Sequence, residues 1–240
     1  MSQVWSPDQL PASPVIRFRG LTKGLAGSCL RASKKTMKGK TMADIKIYGS
    51  PMSRASRVMW CAKECGVPFE HVDTPWDKLK EPSFLAINPN GKVPGFADGE
   101  LKLFESLAIN LYLAKKYSAG NLYPASVEDE GRVFQWTMWA ATEVEPLALP
   151  SLLVQLGYSK DADGAKAAAD KLPPVLKVLD DALKGRDWLL GKKFSVADLN
   201  VGSVVSLTKY GKIDISYAAN VSAWLERCLA RPARNPGARE

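Results

Sequence analysis

The stretch FLAINPNGKVPGFADGELKLFESLAINLYLAKKY, residues 84–117, decides the fold. It opens with the strong turn cluster NPNG. Val93 to Ala97 and Leu101 to Glu105 are the predicted strands of a hairpin, and they flank Asp98-Gly99, two residues that tolerate positive φ. A helix from Ser106 to Tyr117 follows, because Ser106 can cap it and apolar residues recur at helical spacing. The stretch therefore predicts two antiparallel strands closed by a helix.

The residues upstream predict a strand–helix–strand unit and a short helix. The first strand ends at Gly49-Ser50-Pro51, and the first helix ends at Gly66, where a left-handed residue is favoured. A unit of this kind is expected to be parallel and right-handed. Its elements cover Ile45–Tyr48, Ser53–Cys65, Pro68–Asp73 and residues 80–86. The complete order, βαβ–α–ββα, is that of an α/β thioredoxin-like domain, which we assign to residues 43–121.

The residues beyond a linker at 118–125 predict only helices. Ser126 with Asp129 starts a helix that two prolines, Pro146 and Pro150, should kink or end. Three more helical stretches follow: residues 162–184, bent or split by Pro173-Pro174; residues 195–207, opened by a capping box of Ser195 and Asp198; and residues 218–230. We therefore predict an all-α helical bundle domain at residues 126–240.

The first 42 residues carry most of the net charge of +8, with eight basic residues against one acidic residue. A nearly neutral body with a basic tail is not the footprint of a nucleic-acid-binding domain, so no nucleic-acid partner is predicted. The composition suits either an organellar targeting segment or an extension before a natural start at Met42. In both interpretations we predict that residues 1–42 are disordered and dispensable for folding.

Several classes of protein and site are disfavoured by the composition. No apolar run reaches the roughly 18 to 20 residues that span a bilayer, so no membrane partner is predicted. A lone His71 and four scattered cysteines offer no metal cluster. Cys61 and Cys65 are interpreted as core thiols rather than as a redox pair, and the cytoplasm is the predicted location. The absence of GxSxG, GxGxxG and Walker A motifs argues against a serine hydrolase and a nucleotide site.

Four segments in order carry a family resemblance: KIYGSPMSRASRV (46–58), FLAINPNGKVPGF (84–96), LFESLAINLYLAKKY (103–117) and WLLGKKFSVADLNV (188–201). Together they resemble the cytosolic glutathione transferases, and the first turn resembles the serine-using, phi-like classes. The resemblance covers about residues 43–232, with Pro173-Pro174 and the residues after Pro232 as departures. It implies glutathione as co-substrate, a small hydrophobic electrophile, no separate cofactor or metal, a role in detoxification and a homodimer.

Glutathione conjugation needs the thiolate, yet a free cysteine thiol with a pKa of about 8.5 is only a few per cent ionised at neutral pH. Within the resemblance Ser53 is the predicted catalytic residue, because its hydroxyl can donate to the sulfur at the start of the first helix. A helix cap is the plain alternative role for Ser53. Ser50 and Ser56 are rival donors, and Ser50 in the strand-to-helix turn is the stronger rival.

The resemblance also implies residues that hold the tripeptide. Val93-Pro94 resembles the family's cis-proline, whose preceding backbone groups face the cysteinyl part of glutathione. Ser106, at a helix start, is expected to bind the γ-glutamyl carboxylate, and Glu105 the α-amino group. Lys80, with Lys92 assisting, matches the position that faces the glycyl carboxylate, although a solvated surface role is an equal alternative for each lysine.

The second substrate is expected between the two domains, with Met138, Trp139 and Tyr210 as candidates, although residues at such helical spacing more often belong to a core. Conjugation is the first functional hypothesis, and glutathione-dependent peroxidase or isomerase activity is a variant of it. A non-catalytic glutathione-transferase-fold module, like that of the elongation factor gamma subunit, and an apolar ligand carrier are alternatives. Retention of the Ser53 hydroxyl favours an enzyme.

Overall fold

The computed structural model describes residues 44–234. The predictions for residues 1–42 and for the last residues of the chain therefore lie outside the described part. The described strands are β1 (Ile45–Tyr48), β2 (Glu70–Val72), β3 (Gly95–Asp98) and β4 (Leu101–Phe104). The helices are α1 (Ala55–Glu64), α2 (Pro82–Leu85), α3 (Ser106–Tyr117), α4 (Val127–Trp139), α5 (Glu145–Gln155), α6 (Ala162–Ala169), α7 (Leu172–Ala182), α8 (Val196–Tyr210) and α9 (Ala219–Leu229).

The amino-terminal half is the thioredoxin-like fold that the sequence predicts. Its sheet has the order β2-β1-β3-β4, in which β1 and β2 are parallel while β3 is antiparallel to both β1 and β4. Ile47 and Phe96 are fully buried because their side chains leave the central strands towards the core. Helices α1 and α3 pack against each other on the sheet. The parallel strand–helix–strand unit is confirmed.

The β3–β4 turn corrects one prediction by a single residue. Asp98 is the last residue of β3 and pairs with Leu101, so the two-residue loop is Gly99-Glu100 rather than Asp98-Gly99. Only Gly99 has a positive φ, +60°, which suits a turn with glycine at its first central position. Asp98 is instead buried and accepts hydrogen bonds from residues of α3. Burial alone would raise the pKa of this carboxyl, but its bonds from α3 outweigh burial and lower the pKa to about 2.

Within the described range, the regular elements of the carboxyl-terminal half are all helices, and the predicted split at Pro173-Pro174 is confirmed. A π-helical turn at Ala140–Val144 joins α4 to α5 just before Pro146, and Pro150 lies inside α5, so neither proline ends the helix. The Pro173-Pro174 pair stands at the start of α7, which is split from α6 at residues 170–171. Between residues 44 and 234, no helix has both the length and the apolar character required to cross a bilayer.

Helix α8 is the centre of this half, because almost all of its side chains are buried. The predicted capping box is confirmed: Asp198 accepts hydrogen bonds from the backbone N–H of Ser195 at 3.0 Å and from its hydroxyl at 2.8 Å. The Trp224 indole also donates to Asp198, at 2.9 Å. The core is continuous from the sheet through α1 and α3 to α8 and α9. The thioredoxin-like and helical halves therefore share one packed interior.

Cys61 and Cys65 differ in their surroundings. Cys61 is fully buried, and burial raises the pKa of its thiol well above the ordinary value. Its sulfur lies 3.5 Å from the Asn110 carbonyl oxygen. Cys65, at the end of α1, is half-buried. The interpretation as a core thiol therefore fits Cys61 fully and Cys65 in part.

Candidate functional site

The predicted glutathione-binding residues follow or precede strand ends that lie at one end of the sheet. Tyr48 at the end of β1 pairs with Val72 at the end of β2 and with Gly95 at the start of β3. Gly95 also pairs with Phe104 at the end of β4. Four chain segments therefore enter or leave the sheet at the same end of its strands. They carry Ser53, Lys80, Lys92 to Pro94, and Glu105 with Ser106.

Gly49 allows the two central segments to approach closely. Its φ is +128°, and a Cβ added there would lie 2.9 Å from the Val93 Cβ and 3.1 Å from the Ala55 Cβ. A side chain at position 49 would therefore separate the turn before α1 from the loop before β3. The Val93–Pro94 peptide bond in that loop is cis, as predicted. Val93 is half-buried beside the turn that carries Ser53.

Asn88 holds the loop before β3 from within. Its side chain is 3% exposed, and its Nδ2 donates to the Lys92 carbonyl oxygen at 2.5 Å and to the Pro94 carbonyl oxygen at 3.2 Å. Lys80 Nζ lies 3.4 Å from the Asn90 carbonyl oxygen, so the Lys80 side chain lies against the turn at residues 88–91. Lys80 and Lys92 are both exposed. The two cations thus flank the same loop and remain open to an anion.

Ser53 lies two residues before the first residue of α1 rather than at its first turn. Its hydroxyl donates to the Ser50 carbonyl oxygen at 2.6 Å and accepts from the Ala55 N–H at 3.2 Å. The Ser56 hydroxyl donates to the Ser53 carbonyl oxygen at 2.9 Å, and the Ser50 hydroxyl oxygen accepts from the Met52 N–H at 3.2 Å. The Ser53 and Ser56 hydroxyls thus each donate to a carbonyl oxygen three residues earlier, and either would have to turn away from it to reach a sulfur. Ser56 differs in lying inside α1, whereas Ser50 and Ser53 precede the helix.

Glu105 and Ser106 stand at the start of α3. Glu105 has a φ of +68°, an unusual value for a residue with a side chain, and is exposed. Ser106 is the first helical residue and is only 4% exposed. The amide groups of a first helical turn have no partner within the helix and favour an anion. The geometry suits a carboxylate held at this helix start.

The structure does not bring the three candidates for the second substrate together. Trp139 is half-buried and stacks edge-on against Trp136, with ring centroids 5.2 Å apart. Met138 is 58% exposed on α4. Tyr210 lies elsewhere, because its hydroxyl accepts from Arg234 at 3.2 Å, next to the carboxyl end of α1.

A cluster of charged side chains beside Ser53 was missed by the sequence reasoning. Arg54 Nε donates to Glu145 Oε1 at 2.7 Å, and Arg57 Nη2 donates to the same oxygen at 3.2 Å. Arg57 is 6% exposed, and burial lowers the pKa of its guanidinium. Burial alone would raise the pKa of the Glu145 carboxyl, but the two arginines outweigh it and lower that pKa. The start of α5 is thereby tied to the start of α1.

Two exposed aromatic rings were also missed. Trp76, in the segment after β2, and Tyr158, after α5, are 65% and 68% exposed. Their rings meet edge to face with centroids 6.5 Å apart. Met52, next to Ser53, is 86% exposed. Trp76 and Tyr158 therefore form an exposed aromatic pair, and Met52 is an exposed apolar side chain in the turn that carries Ser53.

Comparison with protein families gives two adjacent matches. The model for the glutathione S-transferase N-terminal domain matches residues 43–115. The model for the glutathione S-transferase C-terminal domain matches residues 136–232. The first match contains the strand ends and helix starts described above, and the second contains α5 with Glu145 and α8 with Asn200.

Individual relatives agree with these matches. Glutathione S-transferase 3 of Zea mays is 36% identical over 205 residues, which cover 80% of this chain and 92% of the relative. The theta class glutathione S-transferase of Xanthomonas axonopodis pv. citri, solved with glutathione bound, is 28% identical with a TM-score of 0.74 and covers 82% of this chain and 98% of its own. A glutathione S-transferase-I structure bound with lactoylglutathione is 30% identical, with a TM-score of 0.71 and coverages of 80% and 96%.

Proposed function

Because the chain belongs to the glutathione S-transferase family, we propose that it binds glutathione at the end of the sheet where the segments carrying Ser53, Val93 and Ser106 enter or leave it. The observation that carries the proposal is that the chain segments bearing these three residues enter or leave the sheet at the same end of its strands. Solved relatives hold glutathione or lactoylglutathione. Glutathione carries a carboxylate at each end and peptide groups between them, and the proposed partners at this end of the sheet are the start of α3, the exposed lysines and the backbone of Val93.

The reaction follows from the chemistry of the thiol. In the proposed role, the Ser53 hydroxyl turns from the Ser50 carbonyl oxygen to the sulfur of bound glutathione, while its oxygen still accepts from the Ala55 N–H. The hydrogen bond to sulfur stabilises the thiolate and lowers the pKa of the bound thiol. The thiol proton passes to solvent, and the thiolate sulfur then forms a bond to an electrophilic carbon. In a substitution, the carbon expels its leaving group as an anion; in an addition, the π electron pair moves to the neighbouring atom, which takes up a proton from solvent. No nucleophile belonging to the protein is needed.

The second substrate is proposed to lie beside the Ser53 turn, between the thioredoxin-like half and α5. The exposed side chain of Met52, next to Ser53, supports an apolar electrophile there. Trp76 and Tyr158 meet beyond the carboxyl end of α5, whereas Arg54 beside Ser53 binds Glu145 at the first residue of α5, so the two rings lie at the other end of this helix. Helix α5 adds leucines that are only half-buried. Met138 and Trp139 stay candidates on the adjoining helix, whereas the position of Tyr210 gives no support to a role in this pocket.

The proposed function is tested by binding and turnover measured separately. Isothermal titration of the full chain with glutathione should give a saturable heat, and mixing with glutathione and a chromogenic electrophile should give conjugate. Binding without conjugation of any electrophile, peroxide or isomerisable substrate would favour the non-catalytic binding module. Failure to bind glutathione would contradict the site itself.

A homodimer is also proposed, and exposed apolar side chains support one surface for it. Val127 and Phe134 lie seven residues apart on α4, so they share one face, and both are exposed. Leu101 and Phe104 on the edge strand β4 are 39% and 40% exposed. We expect light scattering at micromolar concentration to give twice the chain mass, and Phe134→Glu to reduce it to the monomer mass. A monomer mass for the unaltered chain would contradict the dimer.

A further inference from the structure

Two buried amides join the helical half to the start of α3. Asn110 on α3 and Asn200 on α8 are fully buried. Asn110 Nδ2 donates to Asn200 Oδ1 at 2.9 Å. Asn200 Nδ2 in turn lies 3.3 Å from the Leu107 carbonyl oxygen and 3.2 Å from Thr137 Oγ1. A side chain of the helical half therefore reaches the residue that directly follows Ser106.

The amide pair is not the arrangement that packing alone would select. Both residues are fully buried and adjoin Ile109 and Leu199 of the core in the chain, and apolar side chains of similar size would avoid the cost of burying a polar group there. Within residues 44–234, Asn110 Oδ1 accepts no hydrogen bond, so one acceptor of the pair contributes nothing to stability. What the pair does provide is a fixed orientation, because a hydrogen bond to the Leu107 carbonyl oxygen restricts movement of the helical turn that carries this carbonyl. That turn is the first turn of α3.

The same turn carries a strained residue. Glu105 has a φ of +68° and a ψ of 105° without being glycine. Such a conformation persists only where the surrounding structure holds it, and it is concentrated at functional sites. On one side Glu105 is held by Phe104, which pairs with Gly95 in the sheet. On the other side it is held by the helical turn whose Leu107 carbonyl oxygen lies beside Asn200.

We propose that Asn200 is a positioning residue for glutathione, acting from the helical half on the γ-glutamyl end of the substrate. By fixing Leu107, it keeps Ser106 and the strained Glu105 in the arrangement that receives the γ-glutamyl carboxylate and amine. Asn200 itself touches no part of the substrate. The inference rests on the proposed function, since it assumes that glutathione binds at the start of α3.

The test uses the full chain, two ligands and two variants. Asn200→Leu removes the hydrogen bond to Leu107, and Thr137→Val is the matched control because it removes only the other partner of Asn200 Nδ2. Titration with glutathione is compared with titration with cysteinylglycine, which lacks the γ-glutamyl residue. We expect Asn200→Leu to weaken glutathione binding about tenfold and to leave cysteinylglycine binding unchanged. Thr137→Val should alter neither by more than about twofold.

Three results would overturn the inference: unchanged glutathione binding in Asn200→Leu, equal losses for both ligands, or the same loss in Thr137→Val. If Asn200→Leu does not fold, the double variant Asn110→Leu with Asn200→Leu takes its place, because replacing both partners leaves no amide of the pair unmatched. It should show the same selective loss. If the unaltered chain binds no glutathione, the proposed function fails and this inference fails with it. If the unaltered chain binds and the variants bind equally well, only this inference fails.

Discussion

Replacing Ser53 with alanine is expected to raise the apparent pKa of bound glutathione by about one to two units while leaving glutathione binding nearly intact. The reason is that the rest of the tripeptide is still held by the loop before β3 and by the start of α3. Turnover at about pH 6.5 should fall roughly tenfold to a hundredfold and recover in part at higher pH, where the thiol ionises unaided. Titration of the thiolate by its ultraviolet absorbance, with glutathione bound, measures the pKa directly.

The hydrogen bonds of the Ser53 turn make the alternatives separable. Loss of the Ser53 hydroxyl also removes its bonds with the Ser50 carbonyl oxygen and the Ala55 N–H, which should cost about 1 kcal/mol of stability. A purely structural Ser53 would show that cost with no change in the thiol pKa. Ser56→Ala is the control, because it removes one hydroxyl–carbonyl hydrogen bond of the same turn while keeping the Ser53 hydroxyl. An unchanged pKa in Ser53→Ala with a raised pKa in Ser50→Ala would assign the role to Ser50.

Replacing Glu145 with alanine is expected to reduce the free energy of unfolding by about 3 kcal/mol or more at neutral pH. Arg57 is 6% exposed and would remain as a buried cation without its partner. Arg54 is 45% exposed, so solvent screens its share and it adds little. Since Arg54 follows Ser53 directly, turnover should fall as well. Urea unfolding at neutral pH measures the stability change.

A control variant distinguishes the loss of the buried Glu145 carboxylate from the loss of an exposed carboxylate that also pairs with two cations. Asp181 also lies between two cations, Lys177 and Lys184, but its side chain is 45% exposed. Asp181→Ala should therefore lower the free energy of unfolding far less than Glu145→Ala does, because solvent screens an exposed ion pair. Equal losses in the two variants would contradict a special role for the buried cluster.

The Glu145 contribution also has a defined dependence on pH. The pKa of Glu145 in the folded chain lies below its ordinary value, so the folded state binds the proton less tightly than the unfolded state does. Its stabilising contribution is therefore complete above about 4.3, the pKa of an unperturbed glutamate, and is lost as pH falls below that value. The difference in stability between the unaltered chain and Glu145→Ala should shrink at about pH 3. A constant difference would assign the effect to packing instead.

The sequence could predict elements whose signals are local. Helix α3 begins and ends at the predicted residues, Ser106 and Tyr117, because its apolar spacing and its flanking residues lie within one stretch. The hairpin was misplaced by one residue, since only Gly99 needs a positive φ and Asp98 is drawn into β3 by partners on α3. Helix α1 begins at Ala55, because the serines before it bond to each other's backbone instead of continuing the helix.

The parts of the site that could not be predicted depend on partners far apart in the chain. Glu145 is separated from Arg54 by 91 residues, and Asn200 from Asn110 by 90. A buried asparagine in an apolar helix gives no sign of which carbonyl it will meet. Trp76 stands in a polar segment and could equally have belonged to the core. These residues acquire a role only when the helical half packs against the thioredoxin-like half.

Gly49 also shows how selection can act on a residue that has no functional group. The position has two independent constraints: its φ is +128°, and a Cβ added there would lie only 2.9 Å from the Val93 Cβ. Any larger residue would force apart the two loops that hold the substrate while leaving the strands and helices intact. Tolerance to mutation at Gly49 should therefore be as low as at Ser53, for a geometric rather than a chemical reason. The site therefore depends on the space left by the missing side chain at Gly49 as well as on the side chains that are present.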